Sequence, residues 1–309
     1  MPQHPGQLFA PDHDAAPRGP GAGPDRWSWR LLRAGEFWLD GGAMFGIIPR
    51  PVWMKWFPAS GPGAVDEQHR IPMQCNCLLL ESGGRLAVIE TGIGDKFPAK
   101  ERGLYRQEDR SVHSALHEVN CRPEAISHVV CTHLHFDHAG GLTRLATPTS
   151  GPDDPPALVF PNARVISQKR EWDDAVENRS TMHKTYLKNH LTPEVKERVV
   201  LVEGEKEVLP GVWVWPVPGH TWGQQAVRFT DTSGRTVVFV PDVMPTRLHA
   251  RPTTNMAYDV ESYTSMQERI RFLERAGTEN WLLVLDHEHG HPVFEVRKDS
   301  HGAWGLIEA

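Results

Sequence analysis

Alternating apolar and polar positions dominate the chain, and they arrange its predicted elements in two rounds, each with strands first and helical spacing after. In the first round, residues 30–40 read as a strand. Met73–Leu80, Gly83-Gly84 and Leu86–Glu90 read together as a hairpin, 110–119 as a helix, Ile126–Cys131 as a short apolar strand and Arg164–Ser167 as another. Helical spacing follows over Lys169–Glu177 and Met182–His190. In the second round, strands are predicted near Val199–Val202, Val212–Val217, Gln225–Phe229 and Thr236–Val240, then a helix over 262–275, then strands near Trp281–Leu285 and Val293–Val296. Gly151–Pro156 is a loop. No repeat of solenoid period is present. Two groups of strands, each followed by helices, predict two sheets with helices on their outer faces.

Two stretches break the pattern. Residues 1–25 are rich in Pro, Gly, Asp and Ala with almost nothing to bury, so a flexible tail is expected there, with one folded domain over 26–309. Residues 41–63 interleave Phe45, Trp53, Trp56 and Phe57 with prolines and fit neither helix nor strand. These aromatics could wall a substrate pocket, or pack a helix or a homodimer interface; spacing does not choose between them.

With 23% charged and 39% hydrophobic residues and a net charge of −6, the chain has ordinary globular proportions. That balance gives no positive field for a polyanion, so a small-molecule substrate is expected rather than nucleic acid. No apolar run approaches about twenty residues, and the N-terminus lacks a charged segment leading into an apolar one, so a cytoplasmic chain with no membrane partner is expected. The four cysteines are read as reduced, because Cys75 and Cys77 lie two apart on one strand face and Cys121 and Cys131 stand alone.

Seventeen histidines are many, and three fall within six residues in Thr132-His133-Leu134-His135-Phe136-Asp137-His138-Ala139-Gly140-Gly141. Imidazole and carboxylate together suit zinc and related divalent metals. An apolar strand precedes the cluster and Ala-Gly-Gly follows it. His133 and His135 can therefore point the same way from a strand end, while Asp137 and His138, past the turn, can face a second ion.

The segment resembles the His-x-His-x-Asp-His signature of the metallo-β-lactamase superfamily, and other stretches fall in the family's order: Val88–Gly92, Pro218–Gly223, Val240–Asp242 and Asp286–Glu288. Within that superfamily the chain looks most similar to the quorum-quenching lactonase and methyl parathion hydrolase group. The resemblance implies an α/β fold, a four-layer αββα sandwich. It implies two divalent ions, expected to be zinc: one on His133, His135 and His220, the other on Asp137, His138 and His287, with Asp242 bridging. His289 is the alternative to His287. Glu90 stands where the family commonly has Asp, and it is expected to orient a ligand by hydrogen bond.

Two cations about 3.5–4 Å apart can share a water and bring its pKa toward neutrality. The expected activity is hydrolysis by a metal-bridging hydroxide of an ester-type bond, a lactone or carboxyl ester, with Asp137 and Asp242 catalytic and His249 facing the substrate. Phosphotriester hydrolysis, iron-dependent oxygen chemistry on the same fold and non-catalytic binding are the alternatives.

Overall fold

A computed structural model describes residues 26–309; the tail expected over 1–25 lies outside them. The strand Arg26–Asp40 ties together two groups of strands. Its first two residues pair in parallel with Gln225–Asp231, and the rest runs antiparallel to Arg70–Ser82. On one side the order continues through Arg85–Ile89, Ile126–Val130, Arg164–Gln168 and Val199–Val202; on the other it continues through Thr236–Val240, Leu282–Leu285, Val293–Lys298 and Trp304–Glu308. Val212–Pro216 and Lys206–Leu209 form a side branch on Gln225–Asp231.

Three buried apolar clusters define the layers. The middle one joins Leu78, Ala87, Ile89 and Val130 of the first group to Val214, Val227, Phe239 and Val284 of the second, so the two sheets face each other. A second cluster packs the outer face of the first sheet against Val112–Glu118 and Lys169–Val176 through Val129, Ala115, Leu116 and Trp172. A third packs Val238, Leu283 and Phe294 under Ser262–Thr278 through Phe272, Leu273 and Ala276. The order is helix, sheet, sheet, helix, as expected.

Local chemistry explains the elements. Gly83 and Gly84 both have positive φ, 57° and 83°, which the tight hairpin turn requires. Ser111 caps Val112–Glu118 with a reciprocal bond to Ser114. Ser262–Thr278 buries Ser265, Arg269, Phe272, Leu273 and Ala276, the spacing of one helix face. All four cysteines are free thiols.

Three expectations need correction. Residues 182–190 form turns rather than a helix: Met182 is 46% exposed, Thr185 Oγ1 donates back to the Met182 carbonyl, and the Tyr186 hydroxyl is drawn to Glu171. Tertiary hydrogen bonds outweigh the periodicity there. The aromatic stretch contains short helices, Gly41–Phe45 capped by Asp40, and Arg50–Trp53. The pattern also missed the helix Ala99–Leu104 and the strands Lys206–Leu209 and Trp304–Glu308. No helix among the described residues is long and apolar enough to cross a membrane.

Candidate metal centre

Strand ends build the site. Ile126–Val130 lies parallel to Arg85–Ile89 and Arg164–Gln168, and directly past its C-terminal end come His133, His135 and the short helix Phe136–Ala139 with Asp137 and His138. In the second sheet Val240 pairs with Leu285 in parallel, so Asp242 and the pair Asp286-His287 emerge side by side. His220 arrives on the loop after Val212–Pro216. Gly219, at φ 137°, lets that loop cross the helix Ser262–Thr278, where a Cβ would sit 2.5 Å from the Ser265 backbone. The Phe136–Ala139 helix is seated equally closely, for a Cβ on Gly140 would lie 1.9 Å from the Ile93 carbonyl oxygen.

The seven residues expected to hold metal converge. Potential ligand atoms of His133, His135 and His220 lie within 4.8 Å of one another, and so do those of His138, Asp242, Asp286 and His287. His220 Nε2 is 3.0 Å from His135 Nδ1, and His287 Nε2 is 3.0 Å from His138 Nε2. Asp242 stands between the groups: Oδ2 is 3.1 Å from His220 Nε2 and 3.9 Å from His133 Nε2, while Oδ1 is 3.4 Å from His287 Nε2. Asp137 flanks the second group, with Oδ1 3.8 Å from His138 Nε2 and Oδ2 3.6 Å from His287 Nε2. His289, the alternative last ligand, is outside the site and bonds Glu36 Oε2 at 2.8 Å.

The inward nitrogens are set from behind. His287 Nδ1 donates to the Gln74 carbonyl at 3.0 Å, and His220 Nδ1 donates to Asp259 Oδ1 at 3.0 Å. His133 Nδ1 lies 3.1 Å from Thr132 Oγ1, and His138 Nδ1 lies 3.4 Å from Glu90 Oε2. An oxygen holding Nδ1–H leaves the Nε2 lone pair facing inward, the state a metal needs. Glu90 lies beside His138, but its near oxygen makes no hydrogen bond to the ring; its other oxygen accepts from the Thr132 amide at 2.5 Å.

Sequence reasoning missed two more buried carboxylates that organise the centre. Asp259 is one. Glu171 is the other: it accepts from the Leu134 amide, the Tyr186 hydroxyl and the Thr221 hydroxyl, at 2.9, 3.0 and 2.6 Å, and so joins the loops of His133 and His220. No motif marks either residue in the sequence.

Electrostatics fit a cation. Burial, aided by neighbouring imidazoles, pushes His133 and His135 well below the usual histidine range, which leaves them neutral. Burial also acts against charge on His138 and His220, yet the carboxylates of Glu90 and Asp137, and of Asp242 and Asp259, outweigh it and raise both. Burial would likewise raise Asp242, but His287 and His220 hold it well below the carboxylate range. A divalent cation would meet this same negative field. His133 Nε2 and both oxygens of Asp286 are buried without a hydrogen-bond partner, as coordinating atoms are before a metal claims them.

A cleft opens over these residues, walled by Leu39, Met44, Tyr105, Phe136, Met256 and Tyr258. The substrate-facing expectation for the aromatic stretch and His249 is corrected here. Phe45 and Trp53 are buried in the core, and Phe45 stacks on His249 at 5.3 Å. His249 is fully buried between Thr246 Oγ1 and the Met44 carbonyl. Trp56 and Phe57 line a separate groove with His289. Met44 and the two tyrosines carried no signal in the sequence, since their neighbours in the cleft are distant along the chain.

The chain is similar in sequence and fold to known proteins. Against an N-acyl homoserine lactonase of Bacillus sp. the chain is 31% identical over 172 residues, which is 51% of this chain and 59% of that protein. An N-acyl homoserine lactonase of Bacillus thuringiensis is 26% identical over 209 residues, 63% of this chain and 74% of the relative. A probable metal-dependent hydrolase from Staphylococcus aureus superposes with a TM-score of 0.78 at 26% identity, covering 93% of this chain and 99% of that one. The dizinc quorum-quenching lactonase AidC, at 17% identity, shares the fold with a TM-score of 0.73 over 93% of this chain and 96% of its own. The family model described as "Metallo-beta-lactamase superfamily" matches residues 70–287, from the strand behind His287 to His287 itself. With two histidine groups joined by one carboxylate at paired strand ends, the chain belongs to the metallo-β-lactamase superfamily.

Proposed function

We propose that the protein is a dinuclear zinc hydrolase that opens a lactone ring or cleaves a carboxyl ester. The observation supporting this reading is the placement of Asp242, with one oxygen toward His220 and His133 and the other toward His287. His133, His135 and His220 would hold one ion and Asp137, His138 and His287 the other, with Asp242 shared. A pair of divalent ions supplies hydroxide at neutral pH and Lewis-acid polarisation of a carbonyl oxygen.

The chain's own groups do the rest. Asp242, kept ionised by the imidazoles around it, serves to hold cations and carries protons poorly. Asp137, which lines the cleft, would take up the proton that the attacking oxygen releases and pass it to the departing alkoxide. Phe136, Met44 and Met256 keep bulk water from the reacting carbonyl and offer an apolar surface to an acyl chain. The lactonase relatives named above favour a lactone within the ester class.

A hydrolysis screen tests this reading, using acyl-homoserine lactones, aryl carboxyl esters and aryl phosphotriesters on zinc-loaded protein. Turnover of lactone or ester that collapses in Asp137→Asn is expected. Verified two-metal protein that hydrolyses none of the three classes would overturn the reading, and phosphotriester turnover above that of the esters would reassign the substrate.

A further inference from the structure

One carboxylate at the centre has no assigned task. Asp286 is 1% exposed, and neither of its oxygens has a hydrogen-bond partner. One of them lies within 4.8 Å of ligand atoms of His138, Asp242 and His287. Its backbone cannot turn away. Asn76 N donates to the Asp286 carbonyl at 2.8 Å, and Asn76 Nδ2 grips the carbonyls of Leu285 and Glu288 at 2.9 and 3.0 Å. His287 N is bonded to the Pro245 carbonyl at 3.1 Å. The parallel pairing of Val240 with Leu285 fixes the carboxylates of Asp242 and Asp286 as neighbours.

Charge counts in the same direction. Glu90, Asp137, Asp242 and Asp286 are all buried around His138 and His287. Among the described residues no lysine or arginine hydrogen-bonds or ion-pairs with any of the four. Four carboxyl groups gathered in a low-dielectric interior with no lysine or arginine beside them are unfavourable as anions, and divalent cations would balance them.

We propose that Asp286 is a further ligand of the ion held by His138 and His287, giving that position three carboxylates and two imidazoles and a capacity for Mn²⁺ that the other position lacks. This rests on the two-metal reading above. The first position offers three imidazoles and the shared Asp242, a set suited to four-coordinate zinc. The second, with oxygens from Asp137, Asp242 and Asp286, suits a harder ion of higher coordination number.

The test loads chelator-stripped full-length chain with one equivalent of Zn²⁺ and titrates it with Mn²⁺, following free Mn²⁺ by electron paramagnetic resonance. The wild type should take up one Mn²⁺ per chain. Asp286→Asn, nearly the same in shape, should weaken that uptake at least tenfold while the first equivalent of zinc binds as in wild type. Thermal unfolding gives a second readout: metal-free Asp286→Asn should melt at or above metal-free wild type, because a buried carboxyl group with no partner is gone, and should gain less from Mn²⁺. Equal Mn²⁺ affinity in wild type and variant overturns the ligand role and leaves the two-metal reading standing. Failure of the wild type to bind any second ion, Mn²⁺ or Zn²⁺, overturns both. If Asp286→Asn does not fold, Asp286→Ser carries the same comparison.

Discussion

Replacing Asp259 by Asn changes one atom in a buried group and sets two hydrogen bonds against each other. Both neighbours of the carboxylate are donors: His220 Nδ1 lies 3.0 Å from Oδ1, and the Met256 amide lies 3.2 Å from Oδ2. An Asn can present its oxygen to only one of them. If the oxygen faces Met256, the amide NH₂ faces His220, the ring proton moves to Nε2, and the lone pair aimed at the centre is lost. If the oxygen faces His220, two donors confront each other at Met256, a defect worth ~1–3 kcal/mol of folding stability. Loss of such an orienting partner weakens metal binding by about 10–100-fold, or ~1.4–2.7 kcal/mol. Folding plus first-zinc binding should therefore fall by about 1–3 kcal/mol in total, whichever arrangement wins. Urea unfolding of the metal-free chain gives one part, and competition for zinc against a chromophoric chelator gives the other. If both match wild type, Asp259 does not set the His220 tautomer and the reasoning fails.

Glu171 and His249 give two further predictions. Glu171→Ala strands the Leu134 amide and the Tyr186 and Thr221 hydroxyls and should cost about 2–4 kcal/mol in urea unfolding; Glu171→Gln should recover most of this, because the Thr221 hydroxyl can turn to accept. Equal losses in the two variants would mean that packing rather than hydrogen bonding is at stake. Burial holds His249 at about 4 against an ordinary 6.5. A depressed histidine leaves the folded state binding fewer protons than the unfolded one, so its contribution is complete above 6.5 and drains as pH falls toward 4. Between pH 6.5 and 5 this removes roughly 2 kcal/mol from the metal-free chain. His249→Gln should show a correspondingly shallower decline, and an identical pH slope in the two proteins would contradict the assignment.

The parts legible in the sequence were those in which one contiguous stretch holds both the chemistry and its mounting. His133, His135, Asp137 and His138 follow an apolar strand and precede two glycines, so the strand, the turn and the ligands were read together. His220, Asp242 and His287 became readable only through the family's order of motifs, because each is an ordinary strand-end residue in isolation. Asp259 and Glu171 were silent: Asp259 acts on a histidine 39 positions upstream and Glu171 on a threonine 50 positions downstream, and a carboxylate in an amphipathic helix or loop looks like surface. The aromatic stretch misled for a related reason. Trp53 and Phe45 offer a pocket or a core the same apolar area, and only the packing of Phe45 on His249 decides for the core. Residues 182–190 failed as a helix because Tyr186 reaches Glu171, a partner that local periodicity cannot reveal.

Stepwise return of zinc to chelator-stripped protein, with bound metal and lactone or ester hydrolysis followed together, tests the two-ion centre most directly. The seven converging side chains predict that bound zinc saturates at two per chain and that activity rises until the second equivalent is taken up. Full hydrolytic activity in metal-free protein, or saturation at one ion with no further binding, would contradict it.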